Sequence, residues 1–426
     1  MKWLNIRNFL LQPRVVLALY IIMAVVASVQ LIALGTHMMA APTIDVHSTD
    51  IVNNPQTAKL FVGNYFTEYN NYVIFRQSFF HLIHGQNLYT IYPKEQWDLY
   101  KYSPTFALCM GALAYMPDLL GLTIWNLLNA LTLLAAIRML PFTVKVRSML
   151  CWFVAIEMLT SLQNAQSNAL MAGLMIGAFC CMQNGKVQWA TLWLVLATFI
   201  KLYGAIGFCL FLFYPGKVRF ILFAALWTVL LFVLPLVAVP MQALLWQYHN
   251  WATMLAADQA GSYGLSVIGW LHAWFGVEQG KGIVSIVGIV LFLLPFVRFK
   301  MYGNLVFRLL TLASMLLWVI IFNHKAESPT FVIAVAGAGI WYFSRRYVLW
   351  RTILLWLVFA FTTLSVTDIF PHIVKQQFFI PYVIKVVPCI LVWVVVFIQL
   401  LLLKKNAIVP QNGTEVVGYK NQNNHL

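Results

Sequence analysis

Charge is scarce in this chain. Only 9% of its 426 residues are Asp, Glu, Lys or Arg, against about a quarter in a soluble domain. That excludes an ordinary soluble fold. With 62% hydrophobic residues in recurrent stretches about twenty long, it implies an all-α polytopic membrane protein. The short alternating strands of a β-barrel are also lacking. Acids are rarer than bases, 12 against 27, for a net charge of +15. In a soluble protein that excess would point to nucleic acid. Here the bases fall in short loops between apolar runs, so the positive-inside rule accounts for them and no nucleic-acid partner is expected. The six cysteines (Cys109, Cys151, Cys180, Cys181, Cys209 and Cys389) all lie within apolar runs. None has metal-ligand spacing, and they read as small packing residues. No compact acidic cluster marks a dedicated metal site, although Asp45 and Asp50 could share an ion with a bound phosphate. No cofactor is implied.

What is present is a series of apolar runs. The first, 15–35, follows Lys2, Arg7 and Arg14 and precedes "HMMAAP" in the manner of a signal peptide. It is longer than a signal core and reads as a retained first transmembrane helix. Candidate spans are 15–36, 103–116, 119–138, 148–163, 167–183, 188–214, 218–240, 281–298, 303–322, 328–344, 349–368 and 381–403. These are twelve, with both ends cytoplasmic. Basic groups such as Lys217 and Arg219, Arg298 and Lys300, Arg345 and Arg346, and Lys404 and Lys405 then share one side. This arrangement leaves Arg138, Lys145, Arg147 and Lys186 facing outward, against the rule. A second arrangement crosses once between 103 and 137 and twice between 187 and 215, and also gives twelve. Pro117-Asp118 favours the first, the charges the second. Residues 1–405 read as one transmembrane domain with long outer loops at 37–102 and 241–280, and 406–426 as a polar cytoplasmic tail, expected to be disordered. Nine of the twelve acids (Asp45, Asp50, Glu68, Glu95, Asp98, Asp258, Glu278, Glu327 and Asp368) fall on the outer side, which points to a polar site there. Segment 264–276 is too short to span and reads as an interfacial or re-entrant helix.

The wettest segment is "TEYNNYVIFRQSFFHLIHGQNLYTIYPKEQWDLYKYSP", 67–104. Asn70 or Asn71 can cap a helix that stops at Gly85. Tyr72, Phe75, Phe79, Leu82 and Ile83 give it an apolar face, with Asn70, Gln77, His81 and His84 opposite, so it should lie in the membrane interface. The tyrosines, Trp97 and lysines that follow suit sugar stacking and phosphate binding, and they equally suit an interfacial anchor. Further polar groups interrupt the apolar runs. "SLQNAQSNAL" carries Gln163, Asn164, Gln166 and Asn168. Lys201 sits in "ATFIKLYGAIG", where a lysine costs about 2.5–3.5 kcal/mol unless it is partnered or snorkels. "IIFNHKAESPTF" packs Asn323, His324, Lys325, Glu327 and Ser328 into one loop, which could move protons and hold phosphate or simply be a Lys325–Glu327 salt-bridged turn.

Four features in order resemble glycosyltransferase family 87. They are an amphipathic helix followed by Gly85 and Tyr89, "YSP" at 102–104, Gln166 and Asn168 as Q-x-N, and "IKLYG" at 200–204. The likeness runs over about 70–350. It implies a GT-C-like fold with about 12 transmembrane helices and amphipathic interfacial helices in the first outer loop. It also implies an inverting transfer of a hexose, such as mannose, from a polyprenyl-phosphate donor to a lipid or glycan acceptor. The reaction would take place on the outer face of a bacterial inner membrane, among membrane lipids. A carboxylate of the first outer loop would be the base. Where the family often has Asp, this chain has Asn71, so the base falls to Glu68 or Asp45 and after them Glu327. His324 would shuttle protons or touch phosphate. Arg76, Lys101, Lys325 and Lys201 would hold the donor phosphate, and Asn71, Tyr102, Gln166 and Asn168 the sugar or acceptor. Two other readings stand beside it. One is a transporter or flippase of envelope lipids, for which the intramembrane charges Lys201 and Glu157 speak. The other is a non-catalytic scaffold of the same fold, for which Asn71 speaks.

Overall fold

The computed structural model describes residue 6 and residues 8–38, 60–257 and 263–409. Asp45, Asp50, Asp258, Lys2, Arg7 and the tail from 410 lie outside the described residues.

The chain enters α1 (Pro13–Leu34) with Pro13 in the first turn and leaves it at Gly35, whose φ of 72° suits a residue without a Cβ. Two strands unforeseen in the sequence follow. β1 (Thr36–Met38) pairs antiparallel with β2 (Tyr65–Thr67), His37 opposite Phe66. This clip ties the end of α1 to the start of the amphipathic helix α2 (Asn70–Ile83). Its neighbour α3 (Pro104–Cys109) is capped by Ser103, whose hydroxyl accepts from Phe106 N, with Pro104 at the first turn. α4 (Gly111–Ala114) follows.

α2 differs from expectation in two ways. Its N-cap is Tyr69, without a side-chain cap; Asn70 instead accepts from the Trp97 amide at 3.2 Å. Its polar side is covered in part, with His84 exposed and Gln77 half-buried. Asn70 and His81 are buried, and His81 stacks on Tyr92 and bonds Glu95 at 2.9 Å. Burial lowers the His81 pKa, and the nearby Glu95 carboxylate opposes that shift. As pH falls through the ordinary imidazole range, about 6.5, the unfolded chain therefore takes up a proton that the folded chain resists. Stability present above that range should be lost below it. The thermal midpoint should drop more between about pH 7.5 and about pH 5.5 in wild type than in His81→Asn.

The path of the chain departs here from that drawn in the first of the two span arrangements. α3 and α4 pack beside α2. α5 (Asp118–Met139) begins at Asp118, which accepts from Tyr69 Oη at 2.8 Å and pairs with Arg76. Gly121 lies under Tyr72, and a Cβ there would fall on the phenol oxygen. The start of α5 therefore stays beside α2, and 104–114 forms two short helices packed there. At its far end Arg138 donates to Pro13 O at 2.5 Å. The 188–214 stretch breaks at Lys201 into α8 (Val187–Ile200) and a 3-10 helix, Leu202–Phe213, that pack on each other. Tyr214 returns to Gln183 at 3.2 Å. This is the second arrangement, and it moves Arg138, Lys145, Arg147 and Lys186 to the Pro13 end.

The rest alternates between the same two ends: α6 (Val144–Gln163), α7 (Asn168–Gln183), α9 (Lys217–Val233), α12 (Lys281–Leu293), α13 (Leu305–Ile321), α14 (Phe331–Phe343), α15 (Leu349–Leu357) and α16 (Val387–Leu402). Between α9 and α12 lie α10 (Met241–Ala257), which the sequence reading leaves as loop, and α11 (Val267–Phe275). α11 matches the short helix expected in 264–276. Its cap Ser266 accepts from Gly269 N, and Gly276 closes it in the left-handed region. Among the described residues, five helices are long and apolar enough to cross a membrane: Pro13–Leu34, Asp118–Met139, Lys217–Val237, Leu349–Val366 and Ile384–Leu402. α7, α13 and α14 are almost wholly buried and form the centre.

One buried charge pair binds this centre. Lys385 Nζ meets Glu157 Oε1 at 2.6 Å, with side chains 5% and 0% exposed, and also donates to Thr362 O at 2.9 Å. The sequence reading leaves Glu157 as a lone intramembrane charge; its partner comes from 228 residues along the chain.

Candidate active site

At the end opposite Pro13, four loops converge. The turn between α6 and α7 passes through Ala165 at φ 50°, a left-handed position rare for a residue with a Cβ. Trp125 Nε1 bonds its carbonyl at 2.9 Å. That turn presents Gln166, and Asn168 begins α7. The break between α8 and the 3-10 helix presents Lys201. The loop after α13 presents Glu327, and "YSP" presents Tyr102.

These side chains form one chain of hydrogen bonds. Lys201 Nζ donates to Asn168 Oδ1 at 2.7 Å. Asn168 Nδ2 donates to Gln166 Oε1. Gln166 Nε2 donates to Glu327 Oε2 at 2.8 Å. Both amides are thereby fixed in orientation, carbonyls toward the lysine and NH2 groups toward the carboxylate. Lys201 also stands over the rings of Tyr102 and Tyr203, at 5.9 and 5.8 Å. Ser167 Oγ reaches Tyr102 Oη at 3.5 Å, and Tyr89 Oη donates to Tyr102 O at 2.8 Å. A positive group and a negative group are held apart by two polarised amides, with an aromatic face beside the positive one.

The two long outer loops and the 323–327 loop meet around this chain. Gln247 of α10 donates to Gln86 O at 2.6 Å and accepts from Leu88 N at 3.2 Å. Trp251 Nε1 donates to Lys101 O at 3.3 Å. Leu265 N donates to Ala326 O at 2.8 Å. Gly264, at φ 52°, lies directly on the His324 carbonyl.

Of the residues singled out in the sequence, Tyr102, Gln166, Asn168, Lys201 and Glu327 come together. Lys101 is next to Tyr102 and pairs with Asp98 at 3.2 Å. His324 and Lys325 share the Glu327 loop, where Asn323 Oδ1 accepts from Lys325 N. Asn71 is at the rim, donating to Asn164 O at 2.9 Å. Arg76 is engaged by Asp118. Glu68 pairs with His37 at 3.1 Å, half-exposed, beside the clip. Asp45 is outside the described residues. Gln247 escapes the sequence reading, since a lone glutamine in an aromatic-rich stretch carries no spacing signal; Ser167 and Tyr203 lie inside the quoted Q-x-N and "IKLYG" stretches without being assigned a role. Among the described residues no three His, Cys, Asp or Glu side chains group as metal ligands.

The fold and this site define an integral membrane protein with a polar centre built from loops at one end of its helices. The family model for glycosyltransferase family 87 matches residues 100–365, more than half of the chain. The chain belongs to that family, and it is a glycosyltransferase. No curated protein matches it in sequence.

Gly264 gives a first test of the loop junction. Gly264→Ala places a Cβ on the His324 carbonyl at a positive φ. It should lower sugar transfer about tenfold or more through displacement of the Glu327 loop. Transfer rates, with the thermal midpoint as a check on folding, measure it.

Proposed function

We propose that this glycosyltransferase moves a hexose, such as mannose, from a polyprenyl-phosphate donor to a lipid or glycan acceptor at the outer face of a bacterial inner membrane, with inversion. The observation that carries the proposal is the Lys201–Asn168–Gln166–Glu327 chain. It supplies a cation for a leaving phosphate and a carboxylate for an incoming hydroxyl on one rigid frame. Twelve crossings in the second arrangement, of GT-C-like fold, with both termini cytoplasmic, would put the basic end in the cytoplasm in keeping with the positive-inside rule. The polar centre then opens at headgroup height, where a donor with a buried lipid tail presents its sugar.

Glu327 is the base in this proposal. The position where the family often has Asp is Asn71, an amide that cannot take a proton at neutral pH. The acceptor oxygen attacks the anomeric carbon on the face opposite the phosphate, and its proton passes to the Glu327 carboxylate. The bond from the anomeric carbon to the phosphate oxygen breaks, and its electron pair leaves on the lipid phosphate. Lys201, with Lys101 and Lys325, offsets that charge as it develops. Tyr102 offers a face to the sugar, and Gln166 keeps the carboxylate aimed. His324 remains the candidate contact to phosphate.

Purified protein in vesicles, given radiolabelled polyprenyl-phosphate hexoses and a membrane acceptor fraction, tests this. Transfer with the opposite anomeric configuration is expected from the lipid-linked donor and not from a nucleotide sugar. Transfer from the nucleotide sugar alone would overturn the donor assignment.

A further inference from the structure

The opposite end of the molecule holds a second polar feature that sugar transfer does not use. A cavity of about 220 Å3 lies where the start of α1, the end of α5 and the start of α6 meet. Arg138, Arg147, Ser148 and Cys151 line it together with Pro13 and Val16. Among the described residues, two arginines and no carboxylate line this space. Arg138 spends one N–H on Pro13 O. The Nε of Arg147 is buried and has no hydrogen-bond partner among the described residues. A buried donor of this kind is costly unless something accepts from it. Exposed Arg14 and Lys145 directly follow the lining residues Pro13 and Val144 in the chain, adding positive charge to this end.

We propose that this cavity binds the phosphate of an anionic phospholipid. Arginine forks match phosphate oxygens in pairs, and basic pockets between membrane helices suit lipid headgroups. The space would hold several waters at about 30 Å3 each, so a phosphate fits. Val144, exposed at the rim, offers acyl chains an apolar contact beside the site. Further along α1, Ile21, Ile22, Val25 and Val26 are exposed on the faces away from the buried Val16 and Tyr20.

The full-length protein in detergent tests this without reference to catalysis. Phosphatidylglycerol, phosphatidylcholine and inorganic phosphate are titrated separately, with retained lipid read by native mass spectrometry and stability by thermal midpoint. Phosphatidylglycerol should be retained and should raise the midpoint, and phosphatidylcholine should do neither. Arg147→Gln should weaken phosphatidylglycerol binding about fivefold, and the Arg138→Gln/Arg147→Gln pair further. If Arg147→Gln lowers the midpoint without lipid, Arg147→Lys keeps the charge, loses the fork and should still bind more weakly. Equal retention by wild type and all three variants would overturn the site. A midpoint rise from inorganic phosphate matching that from phosphatidylglycerol would overturn the lipid and leave a free anion.

Discussion

Replacing Glu327 by Gln is expected to lower the turnover of sugar transfer about 10²–10⁴-fold, the usual contribution of a positioned general base. The substitution keeps shape, and its amide oxygen can still accept from Gln166, so the 2.8 Å contact and the loop should survive. What it removes is the capacity to take a proton. KM for the donor should change little, because the lysine end of the hydrogen-bonded chain is untouched. Glu68→Gln is the informative comparison. Glu68 pairs with His37 and is half-exposed beside the β1–β2 clip. Its loss should leave turnover within about threefold, as for most surface changes. Turnover measured under single-turnover conditions separates the two. If Glu327→Gln keeps more than about a tenth of the activity while Glu68→Gln abolishes it, the base lies on the first outer loop and the assignment is wrong.

The second large effect concerns stability. Lys385→Met should destabilise the protein by about 3–5 kcal/mol, because it leaves Glu157 charged, unmatched and inaccessible to water. Among the described residues the ion pair recorded for that carboxylate is with Lys385, its hydrogen-bond partner at 2.6 Å, whose Nζ stands 5.1 Å from the centre of the Phe331 ring. The double variant Glu157→Gln/Lys385→Met should recover most of the loss, since replacing both members of a buried pair is often neutral. Thermal midpoints of the three proteins in one detergent give the coupling. Equal midpoints for single and double variants would show that the two charges do not depend on each other. For a transporter reading, an unmatched intramembrane Glu157 was the attraction; a matched pair inside the helix bundle serves packing instead.

Much of this was legible in the residues. The twenty-residue apolar runs, the amphipathic helix over 70–83 and the short helix in 264–276 follow from period and length. Gln166, Asn168, Lys201 and Glu327 stood out because polar groups in apolar surroundings are costly and few. Other features were less visible. The β1–β2 clip uses three residues per strand, too few for an alternating pattern. α10 reads as loop because its Trp, Tyr and Gln dilute the apolar period. The 104–114 stretch has the hydropathy of a span but only two short helical pieces, and Asp118 looks like a turn residue until Arg76 and Tyr69 are seen beside it. The preference for Glu68 over Glu327 rests on the resemblance, which puts the base in the first outer loop near Asn71, whereas the contact of Glu327 with Gln166 joins residues 161 apart.

The junctions that bring the outer segments together share one property. Gln247 bonds the main chain of Gln86 and Leu88, Trp251 the carbonyl of Lys101, and Leu265 the carbonyl of Ala326. Every one of these bonds ends on peptide groups: carbonyls that any amino acid supplies, and the Leu88 and Leu265 N–H groups that any but proline supplies. Gly264 apart, the neighbouring side chains are therefore free to vary without loosening the enclosure, so evolution could retune which acceptor is admitted while the scaffold around the reaction stays put.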